Sequence, residues 1–368
     1  MTERLLRLHS DHGQSPWLDN LRRGLLDDGS LARLRDAGVR GLTSNPTIFQ
    51  KAIQGSSDYD DQFRTAIASG SSVVECYWQM VLSDIRRAAE VFDVVHRESD
   101  GHDGFVSVEV DPNLARDGAA TLVAGRALWA EADRRNLMVK IPATVEGLPA
   151  IRSMIAEGRN VNVTLIFGLE RHQRVMDAYL KGLSDLVDAG GDPARVASVA
   201  SFFISRVDSE VDKRLEAIGT SESLALRGRA AIAQARLAYD AFRRTFAGPR
   251  WSELSARGAR VQRPLWASTS TKNPDYPDTL YVDELIGPDT VNTLPDATLE
   301  AFADHGTLAR RIDVDVDESR RVWDALAGVG VDMDDVAGQL EHEGVVAFQK
   351  SFDELIAALA DKSATLGD

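Results

Sequence analysis

Three segments of the sequence carry polar or charged side chains at alternate positions, between residues that are apolar. The segments are residues 105–110, 137–141 and 161–165. If they are β-strands, successive side chains point to opposite faces, and the polar residues share one face. Those residues are Ser107, Glu109, Lys140, Asn162 and Thr164. A lysine beside a carboxylate, an amide and hydroxyl groups has the means to attack a carbonyl group and to move protons.

Lys140 stands out because the chain has 35 arginines and only seven lysines. A lysine amine can lose its proton and attack a carbonyl, whereas a guanidinium remains charged. Burying Lys140 and Glu109 costs several kcal/mol for each charge unless the two are paired. The alternation therefore predicts either a Schiff-base lysine or a buried Lys140–Glu109 ion pair that only fixes the strand register.

Other kinds of catalytic centre find little support in the sequence. The seven histidines are scattered without metal-ligand spacing, and no G-x-S-x-G segment is present. The single cysteine, Cys76, excludes an internal disulfide, and we interpret it as a small buried apolar residue. We therefore expect neither a metal site nor a thiol nucleophile.

The elements that must position these residues follow from the alternation of short apolar segments with longer amphipathic ones. This pattern is typical of βα units around a parallel sheet, and helices are predicted at 30–37 and 170–189. A (β/α)₈ barrel of the α/β class is favoured over an open sheet, since no G-x-G-x-x-G segment follows the first strand. The eight predicted strands are residues 14–18, 41–45, 105–110, 136–143, 160–167, 197–203, 264–269 and 290–294.

The sequence after Pro295 has a different character, acidic and helical. We predict one barrel domain over 1–368, in which 296–368 forms a helical extension packed on or over the barrel. Turns are predicted at 328–330 and 332–335, and an amphipathic helix at 344–360. That last helix packs either on the outside of the barrel or over its mouth.

Further candidate residues lie at the ends of the predicted strands, where the active sites of barrels are found. Asp19 and Asn45 follow the first two strands. Asp19 could instead cap the next helix, and Asn45 could only form the turn before Pro46. Residues 201–206 and 268–272 bring hydroxyl groups and cations after the sixth and seventh strands, which suits a phosphate group.

The composition of the chain argues against several classes of binding partner. The formal net charge of −15 argues against a nucleic-acid-binding surface, and no apolar stretch is long enough to span a membrane. The first residues lack the apolar run of a signal peptide. We expect a cytoplasmic protein, a monomer or a homodimer, that acts on small molecules.

Four ordered segments of the chain resemble the signature segments of transaldolase, a family of the class I aldolase superfamily. They are residues 41–47, 106–112, 138–144 and 162–167, and residues 273–295 are similar to the bacterial subgroup with a longer C-terminal part. The resemblance covers roughly residues 14–295 and extends to the final helix. It implies a (β/α)₈ barrel that acts on sugar phosphates and needs no metal or organic cofactor.

The resemblance also implies roles for single residues. Lys140 would form the Schiff base with the ketose donor. Glu109 would shuttle protons through a water positioned with Thr164. Asp19 would be the general acid and base of carbon–carbon cleavage, in a segment (residues 16–19) that differs from the more widespread form of that motif.

Binding residues are implied in the same way. Asn45 and Asn162 would hold the dihydroxyacetone hydroxyls, and Ser201 and Arg206 the phosphate. Many relatives carry an arginine in the loop after the seventh strand. This chain has no arginine there. The substitutes here would be Ser268, Ser270 and Lys272.

The implied reaction moves a dihydroxyacetone unit from sedoheptulose 7-phosphate to glyceraldehyde 3-phosphate, which gives erythrose 4-phosphate and fructose 6-phosphate. Two alternatives stay open. One is an aldolase resembling fructose 6-phosphate aldolase, which releases free dihydroxyacetone. The other is a barrel that binds sugar phosphates without catalysis.

Overall fold

The fold is a closed barrel of eight parallel strands, ordered β1 to β8 around the ring as they occur in the chain. A computed structural model describes residues 2–366. The predicted (β/α)₈ architecture is thereby confirmed, with additional helices after the last strand. Within residues 2–366, no helix combines the length and the apolar character that a membrane span requires.

The strands agree with the predicted ones to within a few residues at their ends. The predicted and observed bounds of the first and last strands are the same. The seventh begins two residues earlier than predicted and ends at Ala267, because Ser268 adopts a positive φ of 57° that extended backbone does not tolerate. The strands are β1 Gln14–Leu18, β2 Leu42–Thr43, β3 Val106–Glu109, β4 Leu137–Pro142, β5 Val161–Ile166, β6 Ser198–Phe203, β7 Gln262–Ala267 and β8 Thr290–Leu294.

The register of the central strands brings the predicted inward residues side by side. Glu109 pairs with Lys140 across β3 and β4, and Lys140 pairs with Asn162 across β4 and β5. In-register neighbours of a sheet point to the same face. The three polar side chains therefore lie in one layer of the barrel interior.

Helices follow the strands and cover the outside of the barrel, as βα units require. Two short 3₁₀ turns lie at Pro112–Leu114 and Pro193–Arg195. Cys76 is completely buried, as predicted. The helices are α1 Thr2–Ser10, α2 Arg23–Asp27, α3 Ser30–Asp36, α4 Pro46–Gln54, α5 Asp60–Ala68, α6 Val73–Glu98, α7 Gly118–Ala132, α8 Gly147–Ala156, α9 Leu169–Asp188, α10 Ser205–Ile218, α11 Ser221–Leu224, α12 Ala230–Thr245, α13 Pro249–Ser255, α14 Leu280–Asp283, α15 Asp296–His305, α16 Val316–Gly328 and α17 Met333–Leu366.

The last helix is longer than predicted, and the turn expected before it is wrong. A helix over 344–360 preceded by a turn at 332–335 was expected, whereas α17 is continuous over 34 residues. The reason is that Asp332 caps the start: its Oδ1 accepts hydrogen bonds from the backbone N–H groups of Asp334 and Asp335, at 2.9 and 3.1 Å.

Helix α17 packs against α4, α6, α10 and β5, so it contacts several βα units at once. Polar contacts fix it in place. Ser351 Oγ lies 2.8 Å from Thr47 Oγ1, and Arg171 forms an ion pair of 3.1 Å with Glu341. This arrangement places one face of α17 beside the ends of the strands.

Candidate active site

A cavity of about 370 Å³ lies at the end of the barrel where the strands finish. Its walls include residues from strand ends, from the loops after them and from α17. All the predicted site residues line it except Glu109 and Asn162. The predicted lining residues are Asp19, Asn45, Lys140, Thr164, Ser201, Arg206, Ser268, Ser270 and Lys272.

Lys140 is the central cation of the cavity and is only 5% exposed. Its Nζ lies 3.1 Å from Oε2 of Glu109 and donates a hydrogen bond of 3.3 Å to the carbonyl oxygen of Ser44. The predicted Lys140–Glu109 contact therefore exists. Because Lys140 also lines the cavity, its amine can be reached by a ligand.

Glu109 is buried behind Lys140, and burial raises the pKa of its carboxyl group, an effect that the positive charge of Lys140 opposes. Oε1 of Glu109 and Oγ1 of Thr164 are both buried without a hydrogen-bond partner among residues 2–366. Unpaired buried oxygen atoms are rare in folded proteins, and they commonly mark a place for water or for a ligand group. These two atoms can exchange protons with a substrate held on Lys140.

Asp19 lies where β1 ends, and its Oδ1 accepts a hydrogen bond of 2.9 Å from Thr43 Oγ1. The helix after it, α2, has Arg22 as its N-cap residue. Asp19 is therefore not a helix cap. Its carboxylate lines the cavity together with Lys140, so it can take or give a proton there.

Asn45 is the N-cap residue of α4. Its Oδ1 accepts a hydrogen bond of 2.9 Å from the backbone N–H of Ile48, and Pro46 occupies the first turn. This cap shortens the predicted second strand, which ends at Thr43. Since Asn45 also lines the cavity, its amide N–H₂ group remains for a ligand.

Asn162 is completely buried and lies behind the cavity wall. Its Nδ2 donates to Ser107 Oγ at 3.0 Å, and its Oδ1 accepts from Ser201 Oγ at 2.7 Å. Because the Ser201 hydroxyl group donates its hydrogen bond to Asn162, its oxygen atom can only accept a hydrogen bond from a ligand in the cavity. Asn162 therefore orients a cavity-lining hydroxyl group.

Three cations share one part of the cavity: Arg206, Lys272 and Lys51. The pKa of Lys272 is lowered, first by partial burial and then by repulsion from Arg206 and Lys51, while Asp19 raises it. Such crowding of positive charge around a cavity is a means to bind a phosphate group. Lys51 was not predicted, because nothing in its own segment indicates that α4 turns it towards Arg206.

The loop after β7 is tied to the helix after β6. Ser268 Oγ lies 2.9 Å from Ser205 Oγ, and its carbonyl oxygen accepts a hydrogen bond of 2.9 Å from the backbone N–H of Ser205. Further along the loop, Tyr276 Oη donates to Asp212 Oδ2 of α10 at 2.6 Å. These contacts fix Ser270 and Lys272 relative to Arg206, which lies in the first turn of α10.

Apolar side chains close other parts of the cavity, and sequence reasoning did not assign them to the site. The ring of Phe203 faces the guanidinium group of Arg206, whose carbon atom lies 5.3 Å from the ring centroid. Phe348 of α17 also lines the cavity. The one available signal for Phe348 was the apolar face of the predicted last helix, which does not by itself show what that face covers.

Comparison with known proteins agrees with this geometry. A sequence profile described as transaldolase/fructose-6-phosphate aldolase matches residues 16–359. A protein named transaldolase from Saccharopolyspora erythraea is 52% identical over 355 residues, 96% of each chain. The chain belongs to the transaldolase/fructose-6-phosphate aldolase family.

Other members of the family are equally similar. A protein named transaldolase from Thermobifida fusca is 53% identical over 357 residues, 96% of this chain and 97% of that protein. One from Mycolicibacterium smegmatis is 51% identical over 348 residues, 94% of each. The predicted family and the predicted enzyme class, a transaldolase of sugar phosphate metabolism, are thereby confirmed.

Proposed function

We propose that this chain transfers a dihydroxyacetone unit from sedoheptulose 7-phosphate to glyceraldehyde 3-phosphate, with Lys140 as the Schiff-base residue. The observation that carries the proposal is the contact of 3.1 Å between the Lys140 amine and the Glu109 carboxylate, at the edge of a cavity that also holds three cations. An amine, a buried carboxyl group and a phosphate-binding region are the parts that such a reaction needs.

The first step joins donor and enzyme. The Lys140 amine attacks the C2 carbonyl of the ketose, and loss of water from the carbinolamine leaves a protonated imine. Glu109 supplies the proton for the departing water through a water molecule that Thr164 Oγ1 helps to hold. The unpaired buried oxygens of Glu109 and Thr164 support this role.

The second step breaks the carbon–carbon bond. Asp19 takes the proton of the C4 hydroxyl, the C3–C4 bond cleaves, and its electrons enter an enamine on Lys140 while erythrose 4-phosphate leaves. The enamine then attacks the aldehyde of glyceraldehyde 3-phosphate, and Asp19 returns its proton to the new hydroxyl. Addition of water to the imine releases fructose 6-phosphate.

The remaining residues bind the substrate. Asn45 donates to hydroxyls of the dihydroxyacetone unit, and Asn162 acts with Ser201, whose hydroxyl it orients. The phosphate lies against Arg206 and Lys272, with the hydroxyls of Ser268 and Ser270 nearby. Ser201 was predicted to bind the phosphate, but its hydroxyl donates to Asn162, so we place it beside the sugar hydroxyls.

An acceptor-dependence assay tests this function. Fructose 6-phosphate is supplied with and without erythrose 4-phosphate, and glyceraldehyde 3-phosphate and free dihydroxyacetone are both measured. Strong dependence on the acceptor supports transfer, whereas equal turnover without it would make the chain an aldolase. No turnover, with fructose 6-phosphate bound equally by the parent and by Lys140→Ala, would make it a barrel that binds without catalysis.

Four further expectations remain proposals. We propose that 1–368 is one barrel domain with 296–368 as its helical extension. A cytoplasmic location and a monomeric or homodimeric state stay predictions, as does the absence of nucleic-acid binding.

A further inference from the structure

Among the described residues of α17, Phe348 is the only one that lines the cavity. The Lys140 Nζ atom lies 5.8 Å from the centroid of the Phe348 ring, and the phenylalanine is 4% exposed. An aromatic ring has no group that could serve as an acid or a base here. What it brings to Lys140 is an apolar surface that excludes water.

The position of the ring is fixed by the helix that carries it. Gly344 lies one turn earlier on the same face of α17, and a Cβ atom there would be 3.0 Å from Cδ2 of Leu165 in β5. The backbone of α17 at Gly344 therefore lies close to the end of the Leu165 side chain. On the other side of Phe348, Ser351 contacts Thr47 at 2.8 Å. The backbone around Phe348 is therefore held against the barrel mouth.

The access of water to the enamine on Lys140 determines whether the enamine reacts with an acceptor or releases free dihydroxyacetone. With an acceptor, the enamine carbon C3 bonds to the aldehyde carbon, and Asp19 gives its proton to the aldehyde oxygen. Without an acceptor, a water molecule in the site takes the proton of Asp19 and passes one of its own to C3, which restores the iminium ion. A second water molecule then adds to C2, the C2–N bond breaks, and free dihydroxyacetone leaves with Lys140 as the free amine, while the released proton returns to Glu109.

We propose that Phe348 determines how the enamine divides between transfer to an acceptor and release of free dihydroxyacetone. The inference rests on the proposed function of Lys140 and goes beyond it, because it assigns to α17 the exclusion of water from the intermediate. In this view Phe348 is a specificity-determining residue that separates a transferase from an aldolase.

The experiment compares Phe348→Ala and Phe348→Leu with Phe352→Ala and Phe352→Leu. Phe352 is a matched control: it lies one turn further along α17, is 5% exposed and packs perpendicular to Tyr77 at 5.2 Å, but it does not line the cavity. For each variant, the rate of dihydroxyacetone release without acceptor is divided by the rate of transfer with saturating erythrose 4-phosphate.

Phe348→Ala is expected to raise this ratio by about tenfold, since a change of that size needs only a small difference between the two barriers. Phe348→Leu raises it less, and both Phe352 variants leave it unchanged. The ratio is insensitive to a loss of folded protein, because both products come from one enamine. An unchanged ratio in Phe348→Ala and Phe348→Leu, or an equal rise in the Phe352 variants, overturns the inference.

Failure of the proposed function gives a different result. If the parent protein forms no adduct on Lys140 when fructose 6-phosphate and borohydride are added, the Schiff base itself is wrong. If the adduct forms on Lys140 and the ratio does not respond to Phe348, only the role of Phe348 is wrong.

Discussion

Glu109 and Lys140 occupy paired positions on neighbouring strands, with Oε2 and Nζ 3.1 Å apart and both side chains almost fully buried. A pair of this kind is costly to bury, and it adds little stability that apolar residues could not provide. Lys140 lines a cavity at the end of the barrel, and this gives the pair a chemical use. The chemistry of the site therefore depends on what these two residues do together.

Glu109→Gln is expected to lower kcat by about 10²-fold, because the amide cannot exchange a proton with the carbinolamine. Since burial raises the pKa of Glu109, the protonated form that supplies the proton should persist to a higher pH than in an ordinary glutamate, and the activity of the parent should fall as the pH rises through that raised value. Rate profiles against pH for both proteins check this. Glu170→Gln, on the surface of α9, serves as the control, and a Glu109→Gln variant with parental kcat would contradict the role.

Asp19→Asn is expected to form the Schiff base but not to break the carbon–carbon bond, because the proton of the C4 hydroxyl then has no acceptor. After borohydride reduction with fructose 6-phosphate, mass spectrometry should find the whole six-carbon phosphate on Lys140. The parent should carry the three-carbon unit as well. A three-carbon adduct in Asp19→Asn at the parental level would exclude Asp19 as the base.

Lys51→Ala is expected to raise KM for the sugar phosphates by about 3–10-fold with little change in kcat. A fully formed hydrogen bond to a charged group contributes about 1.5–3 kcal/mol, and Lys51 contributes less than this because its side chain is exposed. Inhibition by inorganic phosphate should weaken in parallel. Lys350→Ala, on the outer face of α17, is the control. Equal effects of the two substitutions would show that Lys51 acts only through the overall charge.

Asp208→Asn tests a buried carboxyl group away from the reacting centre. Asp208 accepts hydrogen bonds from Tyr281 Oη at 2.8 Å and from the backbone N–H of Ala231 at 2.7 Å, and burial raises its pKa to about 7. A carboxyl whose pKa is raised on folding stabilises the fold below its unfolded pKa. That contribution is lost as the pH rises through the folded value.

The free energy of unfolding of the parent should therefore fall by about 1–3 kcal/mol between about pH 5 and about pH 8, and Asp208→Asn should remove most of this fall. Urea unfolding at the two pH values measures it. Asp188→Asn, at the exposed end of α9, should behave as the parent does. A fall of the same size in Asp208→Asn would assign the pH dependence to other groups.

The barrel and its reactive layer could be predicted from the sequence because strand alternation is a local property. The apolar residues of 137–141 define an outward face, and this alone turns Lys140 inward. Pairing with Glu109 follows once β3 and β4 are neighbours in the expected order. The reaction was predicted from the resemblance to transaldolase, because strand alternation does not indicate which reaction is catalysed.

Other parts of the site depend on distant contacts and were not predictable in the same way. The course of α17 is an example, since Gly344 suggests the start of a helix in the sequence. In the fold it lies inside a continuous helix, where a Cβ atom would be 3.0 Å from Cδ2 of Leu165. Lys51 likewise joins Arg206 and Lys272 only when α4 and α10 are placed around the same cavity.

Trapping of the covalent intermediate shows whether Lys140 forms the Schiff base. The protein is incubated with fructose 6-phosphate and borohydride, digested, and its peptides are mapped by mass spectrometry, with Lys140→Arg as the control. The Schiff-base mechanism predicts that the three-carbon and six-carbon adducts of the parent lie on Lys140, and that Lys140→Arg carries none. An adduct on another lysine, or active protein that carries no adduct, would contradict it.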